Sequence, residues 1–347
     1  MREGGDWRTC MTIVCLAVCT RVAATSASAC ETDGRYIMGT VFQATLCQDE
    51  TDETTGTLER QQSMQNVFAD VFATAQRFDA LFTTYSSESP ISHINAHAGR
   101  GLQQVPAEVI DILRMSQRYS DLTQGAFDVT VGPLLTLWRQ SVTAQEQPTA
   151  AAIVTTLLSM GSHKIQFGVN HQVSLPSHTM ALDLGGIGKG YALDQAVKHL
   201  QEQGVTNALL SFGQSSLWAL GQPPGESGWR LLLRRPNGEA IGIATFGNQA
   251  ISVSGSLGDS MEVGGQRYGH IIDPRTGMPV QRDLLACIVA PSAAQAEALS
   301  TALLVLGESE GLTLIERLDG VEGILLEANG RRWMTTGWQQ TSHFVSF

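Results

Sequence analysis

Residues 183–191 read D-L-G-G-I-G-K-G-Y, and residues 270–277 read H-I-I-D-P-R-T-G. The first stretch places four glycines around Lys189, between an apolar run and a helical pattern. Glycines allow the backbone to approach a ligand closely, and the free amides at the start of a helix favour an anion. The second stretch sets an imidazole, a carboxylate and a guanidinium beside a turn built on Pro274 and Gly277. Together the two stretches predict a site that binds phosphate.

Neither of the common nucleotide-binding fingerprints is present. A P-loop requires Ser or Thr directly after Gly-Lys, but Gly190 follows Lys189, and Asp183 stands where the first glycine of the motif belongs. A dinucleotide fingerprint requires G-x-G-x-x-G, whereas Gly186, Gly188 and Gly190 alternate. The sequence therefore does not favour a P-loop nucleoside triphosphatase or a Rossmann dehydrogenase.

The composition is that of an ordinary globular protein. The 347 residues are 43% hydrophobic and 16% charged, which is enough chain to bury a large core. The formal net charge of −11 argues against nucleic acid as a partner, because phosphate backbones bind basic surfaces. A small anionic ligand remains compatible with this charge, since a local loop can bind it.

The segment 1–29 has the layout of an export signal. Two arginines precede an apolar run over 11–19, and Ala27-Ser28-Ala29 offers small residues for cleavage. Cys30 follows directly, in the place of a lipid-acceptor cysteine, so lipid anchoring and plain secretion remain two open alternatives. We therefore expect an exported protein, either periplasmic or lipid-anchored and facing the periplasm.

Two further cysteines, Cys47 and Cys287, lie in the body of the chain. Both occur in apolar, strand-like runs, so buried free thiols are the simpler interpretation and a disulfide is the alternative. No spacing of cysteine or histidine in the sequence is typical of a zinc site.

Helical and strand patterns occur in mixed runs, without regular alternation. This order predicts an α+β fold with mainly antiparallel sheets and packed helices. Helices are predicted over 64–82, 106–122, 148–161, 192–200 and 293–306, the last ending at Gly307. Strands are predicted over 36–46, 163–168, 171–175, 179–184, 207–213, 217–221, 229–235, 240–246, 249–254, 266–272 and 284–290, with a final pair near 320–335.

The predicted helix over 293–306 carries a group of oxygen-bearing side chains. Glu297, Ser300 and Thr301 share one face of it, because they are three and four positions apart. Carboxylate and hydroxyl groups are hard ligands that suit magnesium better than zinc. The same spacing also fits the plain polar face of a half-buried helix, and both interpretations stay open on spacing alone.

The other candidate groups are ambiguous when each is taken alone. Asp183 ends a predicted apolar strand, where it either binds loop amides, Lys189 or a ligand hydroxyl, or caps the following helix. Lys189 either pairs with phosphate or keeps the loop soluble. Asp273 before Pro274 is a common start of a turn. His270 is one of eight histidines, and a single histidine is more often structural than a base.

Further segments complete an ordered pattern along the chain. They are Met38-Gly39-Thr40, Tyr85 with 89–95, G-A-F-D-V-T-V-G-P-L over 125–134 with Trp138, Ser252-Val253-Ser254-Gly255, and A-E-A-L-S-T-A-L-L-V-L-G over 296–307. With the two stretches quoted above, they resemble the ApbE family of FAD:protein FMN transferases. The resemblance implies one flavin transferase domain over residues 36–347, with an α+β fold.

The resemblance also implies a set of site residues and a reaction. FAD contacts are implied for Met38, Tyr85, Ala126, Phe127, Asp128, Asp183, Lys189 and Ile272. Magnesium ligands are implied to be the carbonyl of Gly186 together with Glu297, Ser300 and Thr301. The implied reaction is attack of a threonine hydroxyl of an acceptor protein, such as a subunit of a membrane redox complex, on the FMN-side phosphorus of FAD, with AMP leaving. We assign His270 to activate that hydroxyl and Asp273 to orient His270 or to bind metal.

Three departures from the family pattern keep two other functions open. Glu297 replaces an aspartate, Gln214 replaces the second glycine of a pair, and residues 256–258 lack an aromatic residue. One alternative is an FAD pyrophosphatase, in which water attacks and FMN and AMP are released. The other is an FAD-binding protein with impaired catalysis.

Overall fold

The computed structural model describes residues 30–47 and 57–347, with side chains from residue 62 onward in the second range. The predicted export signal and most of the polar segment that precedes the first helix lie outside the described residues. The described part of the chain forms eight α-helices. They are α1 (Thr57–Phe82), α2 (Pro90–Ala96), α3 (Ala107–Leu122), α4 (Gly132–Ala144), α5 (Ala150–Ser159), α6 (Gly188–Glu202), α7 (Ala293–Ile315) and α8 (Trp338–Thr341).

The described residues also form sixteen β-strands. They are β1 (Cys30–Ile37), β2 (Thr40–Cys47), β3 (Gln103–Gln104), β4 (Gln166–Phe167), β5 (Gln172–Ser174), β6 (Asn207–Phe212), β7 (Ser216–Leu220), β8 (Trp229–Arg234), β9 (Ala240–Phe246), β10 (Gln249–Gly255), β11 (Met261–Val263), β12 (Gln266–Tyr268), β13 (Leu284–Ala290), β14 (Glu322–Glu327), β15 (Arg332–Met334) and β16 (Val345–Ser346). Two short 3₁₀ turns, Val129–Val131 and Ser162–Lys164, complete the regular structure of this part.

The centre of the fold is an eight-stranded sheet in the order β1-β2-β6-β7-β10-β13-β14-β15. Every pairing in it is antiparallel, and β1 and β15 form its edges. Smaller antiparallel groups are β16-β9-β8, β3-β5-β4 and the hairpin β11-β12. The predicted α+β class with antiparallel sheets is confirmed.

Both faces of the central sheet are covered. In β13 the side chains of Ala286 and Ile288 pack with α7, while those of Cys287 and Val289 pack with the β16-β9-β8 sheet. Helices α1 and α6 cover the same face as α7, over β2 and β6. This two-sided burial explains why β13 is apolar at every position instead of alternating with polar residues.

Three predictions about local structure are wrong. The single strand expected over 36–46 is the hairpin β1–β2, because Met38 (φ 54°) and Gly39 (φ 74°) form a left-handed two-residue turn. The strand expected over 179–184 has no ladder partner among the described residues. Its backbone bonds instead to Val129 O and to the side chain of Asn95. The strand expected over 266–272 ends at Tyr268.

The cysteines pair differently from the expectation. Cys30 and Cys47 lie opposite each other at the open end of the β1–β2 hairpin and form a disulfide. The interpretation of Cys47 as a free thiol is therefore wrong, whereas Cys287 is free and buried, and burial raises the pKa of its thiol. A sulfur in a disulfide cannot also carry a lipid, so this pairing and the lipid-acceptor role of Cys30 exclude each other.

Helix α7 runs through the core. It is the one helix in the described ranges that is long and apolar enough to cross a membrane by length and composition, a test that the core helix of a soluble protein also passes. It packs on β10 and β13, and its backbone is interrupted at Gly307 (φ 73°, ψ −167°). The break lies at the residue where the sequence predicted the helix to end.

Candidate active site

The glycine stretch forms the start of α6. The amides of Ile187 and Gly188 donate to Leu184 O at 3.1 and 2.8 Å, which closes the turn, and Ile187 supplies no side-chain cap. Gly190 N donates instead to Glu297 Oε2 of α7 at 2.7 Å. A Cβ at Gly190 would lie 2.3 Å from Ala293 O, so the glycine is what allows α6 and α7 to approach this closely.

Glu297 is a buried carboxylate with three partners. Its side chain is 5% exposed, and Oε1 lies 2.6 Å from Lys189 Nζ. Ser216 Oγ of β7 donates to the same oxygen at 3.1 Å, while Oε2 accepts from Gly190 N. The charge of the carboxylate is thus matched by the ammonium of Lys189 and by the positive end of α6.

The two hydroxyl groups of α7 lie beside this carboxylate. Ser300 Oγ is 3.0 Å from Ser252 Oγ and 2.7 Å from Ser254 Oγ of β10, and it donates to Glu297 O at 3.0 Å. Thr301 Oγ1 donates to Glu297 O at 3.2 Å. A Cβ built on Gly186 would be 3.6 Å from Thr301 Oγ1, which puts this hydroxyl against the glycine stretch.

The surroundings of His270 favour the neutral imidazole. Burial lowers its pKa below the ordinary value of 6.5, Asp259 opposes this effect, and the charge of Lys189 adds to it. Its Nδ1 is buried and has no hydrogen-bond partner among the described residues. A neutral imidazole is the form that accepts a proton from a hydroxyl.

The carboxylate of Asp273 is bonded to Arg275. Asp273 Oδ1 accepts from the backbone N and Nε of Arg275 at 2.9 and 3.0 Å, and Oδ2 accepts from Nη2 of the same residue at 3.0 Å. Both carboxylate oxygens are therefore used within the turn. The orienting role and the metal role expected for Asp273 both stay predictions, and either would require the carboxylate to accept a partner besides Arg275.

Four of the expected flavin contacts lie together at the start of α6. Met38 Cε is 3.6 Å from the Cβ position of Gly188, and Phe127 Cε2 is 3.1 Å from that of Gly186. Asp183 Oδ1 accepts from Gly185 N at 2.9 Å, and Lys189 Nζ donates to Gly185 O at 3.3 Å. Met38 also has a left-handed backbone, which non-glycine residues seldom adopt and which is common at functional sites.

The other expected flavin contacts do not present side chains there. Ala126 is buried, and Ile272 packs against Trp138 in a separate cluster. The Asp128 carboxylate is used internally, since it accepts from Thr130 N and Oγ1 and from Ser120 Oγ and Ser162 N. Any contact of Asp128 with a ligand must therefore use its backbone. The ring of Tyr85 projects into solvent, since the residue is 94% exposed.

The sequence of this chain is similar to those of known proteins. A sequence model described as the ApbE family matches residues 38–325. The chain belongs to the ApbE family. An FAD:protein FMN transferase of Klebsiella pneumoniae (strain 342) is 30% identical over 284 residues, covering 77% of this chain and 79% of that relative. One of Escherichia coli (strain K12) is 29% identical over 273 residues, covering 74% and 76%.

A solved structure confirms the fold of this ApbE-family chain. The ApbE protein of Thermotoga maritima superposes with a TM-score of 0.78 at 24% identity, covering 90% of this chain and 99% of that one. The likeness includes nearly the whole of the known chain. The family assignment made from the ordered motifs is thus confirmed, and the positions assigned to FAD and magnesium remain predictions.

The oxygen donors of this ApbE-family site are compatible with magnesium. Among the described residues, no group of three or more His, Cys, Asp or Glu could hold a metal ion. Magnesium, however, is commonly held by one or two carboxylates together with substrate phosphates. Glu297, the hydroxyl of Thr301 and the carbonyl of Gly186 are donors of this kind. They fit the ion provided that Lys189 moves away from Glu297.

Sequence reasoning missed one residue that positions the two helices of this ApbE-family site. Asp194 of α6 accepts from Ala293 N at 2.7 Å and from Ala294 N at 3.0 Å, so it caps α7 from the neighbouring helix. Trp218 Nε1 also donates to it at 3.0 Å. Burial raises the pKa of Asp194 even though these bonds act to lower it. No spacing in the sequence marks this contact.

Proposed function

We propose that this chain transfers FMN from FAD to an acceptor protein. The observation that carries the proposal is the start of α6, where a glycine turn, Lys189 and the hydroxyl-bearing face of α7 meet. His270 is near enough for the charge of Lys189 to lower its pKa. Backbone amides and an ammonium are suited to a pyrophosphate. The relatives named FAD:protein FMN transferase support the same activity.

The acceptor group proposed is a threonine hydroxyl. Its oxygen forms a bond to the FMN-side phosphorus, the bond from that phosphorus to the bridging oxygen breaks, and AMP leaves with the bridging oxygen. The hydroxyl proton passes to His270, whose lowered pKa keeps it able to accept. An orienting role of Asp273 would require its carboxylate to accept a partner besides Arg275.

The proposed function includes a magnesium ion, which Gly186 O, Glu297 and Thr301 would hold. When bound, it would neutralise the charge that develops on the phosphates. Ser300 stays a predicted ligand as well, and its hydroxyl is at present engaged with Ser252, Ser254 and the carbonyl of Glu297. Lys189 and the first turn of α6 hold and orient the pyrophosphate.

One experiment separates transfer from the alternatives. The purified protein is incubated with FAD, Mg²⁺ and a threonine-bearing acceptor, and flavin on the acceptor is measured by in-gel fluorescence while AMP and FMN are measured by chromatography. Transfer gives a fluorescent acceptor and AMP in equal amounts. Free FMN with AMP would indicate a pyrophosphatase, and intact bound FAD would indicate a binding protein without catalysis.

We infer that the protein is exported and works in the periplasm. The export-type segment 1–29 and the Cys30–Cys47 disulfide support this, since disulfides persist in oxidising compartments. The disulfide favours the form without a lipid anchor. An acceptor there would be the outward-facing part of a membrane redox complex.

The test of this location is a detergent phase partition combined with intact mass. A soluble species that gains two mass units on reduction supports the inference. A species in the detergent phase that carries a diacylglyceryl group at Cys30 would refute the form without a lipid anchor.

A further inference from the structure

The Lys189–Glu297 pair occupies the place that the proposed function gives to a metal ligand. Lys189 Nζ lies 2.6 Å from Glu297 Oε1, within a site where the carboxylate is 5% and the lysine 22% exposed. We propose that Lys189 is a resident counter-ion: it neutralises Glu297 while the site is free of ligand and moves to the pyrophosphate when FAD enters. The divalent ion and FAD then bind together, each strengthening the other. This inference rests on the proposed function.

The carboxylate of Glu297 has little capacity left for a cation. Lys189 and Ser216 engage Oε1, and Gly190 N engages Oε2. A divalent ion at Oε1 would have to share the oxygen with an ammonium, and like charges this close repel strongly in a poorly solvated site. Lys189 must therefore leave before the ion can bind.

The charges of the site balance when both ligands are absent and when both are present, but not when only one is bound. The ion pair alone is neutral and lies at the positive end of α6. A divalent ion alone adds two uncompensated positive charges there, and a pyrophosphate alone adds two negative ones. With both present, the two charges of the pyrophosphate and the one of Glu297 are matched by Lys189 and the divalent ion. Buried charge is costly unless it is paired, so the doubly occupied state is favoured.

Lys189 has the freedom to make this move. Its other contact is a 3.3 Å hydrogen bond to Gly185 O, one turn back in the glycine stretch. The side chain is long and partly exposed, whereas Glu297 is held by Gly190 N and Ser216. The lysine therefore moves and the carboxylate stays, which presents Glu297 to the ion in a fixed place.

The experiment measures Mn²⁺ binding by electron paramagnetic resonance, with and without FAD. The native protein is expected to bind Mn²⁺ at least tenfold more tightly when FAD is present, within the usual range of coupling between sites. Lys189→Met should bind Mn²⁺ at least tenfold more tightly than native protein when FAD is absent. Lys198→Met is the matched control, because Lys198 lies on the same helix with a side chain 69% exposed.

Each of the remaining outcomes overturns the inference and shows whether the proposed function fails with it. Equal Mn²⁺ affinity of native protein and Lys189→Met without FAD means that the lysine does not occupy the site, while the proposed function stands. An unchanged Mn²⁺ affinity on adding FAD to native protein refutes the coupling even if the variant does not fold. No Mn²⁺ binding under any condition removes the metal from the proposed function too. If native protein does not bind FAD, measured by flavin fluorescence, the proposed transfer of FMN from FAD is itself refuted.

Discussion

Gly190→Ala should destabilise the protein although it places alanine in a helix. The new Cβ would lie 2.3 Å from Ala293 O, whereas ordinary contact begins at 3.4 Å, so α6 and α7 must separate by about 1 Å. Overpacking of this kind costs about 1–3 kcal/mol. Loss of the bond from Gly190 N to the Glu297 carboxylate costs about 1.5–3 kcal/mol. The higher helix propensity of alanine offsets about 1 kcal/mol, so the free energy of unfolding should fall by about 3 kcal/mol.

Two measurements check this prediction. At about 2 °C per kcal/mol for a chain of this size, the melting temperature should fall by about 6 °C. Transfer of FMN should slow by about a hundredfold, because a shift of 1 Å misplaces the reacting groups. Gly258→Ala is the control, since no atom lies within 4 Å of its Cβ position. If the two variants melt at the same temperature and transfer FMN equally, the close approach of α6 and α7 does not matter and the reasoning is wrong.

Three further predictions concern the same site. His270→Asn should keep FAD affinity, measured by fluorescence quenching, and lose at least about a hundredfold in transfer rate; transfer at the native rate would make His270 a structural residue. In native protein the transfer rate should fall on the acid side only below pH 6.5, because burial lowers the pKa of His270. Thr301→Ala should remain folded by circular dichroism but need a higher Mg²⁺ concentration for transfer, and an unchanged Mg²⁺ requirement would remove it from the ligands. Asp194→Ala should lower stability by about 2 kcal/mol in urea unfolding, since two amides of α7 lose their cap; an unchanged midpoint would show that Ser292 caps α7 alone.

Strong periodicity made several elements predictable from the sequence. Helices α1 and α6 were expected because their apolar residues recur at helical spacing, and β13 because its run is short and apolar throughout. Helices α3 and α5 were expected because a proline stands at the start of each and, for α5, a glycine follows its end. Helix α4 was missed because Gly132-Pro133 reads as a break, whereas proline at the first turn starts a helix. The turn at Met38 was missed because its side chain is not one that favours a left-handed backbone.

The site was predictable only where its members share one element. The spacing of Glu297, Ser300 and Thr301 placed them on one face before any tertiary structure was known. The pair between Lys189 and Glu297 joins residues far apart in the chain, and nothing in local spacing encodes it. The same holds for Asp194 at the start of α7.

The edges of the central sheet have a consequence for assembly. Strand β1 exposes Glu31, Asp33 and Arg35, and β15 at the other edge has only three residues. Charged side chains and short length both discourage another chain from extending a sheet by backbone pairing. Copies that fold at high local concentration are thereby kept from aggregating edge to edge. For the proposed transfer, the acceptor segment is therefore expected to reach the site as a loop and not as a further strand of the central sheet.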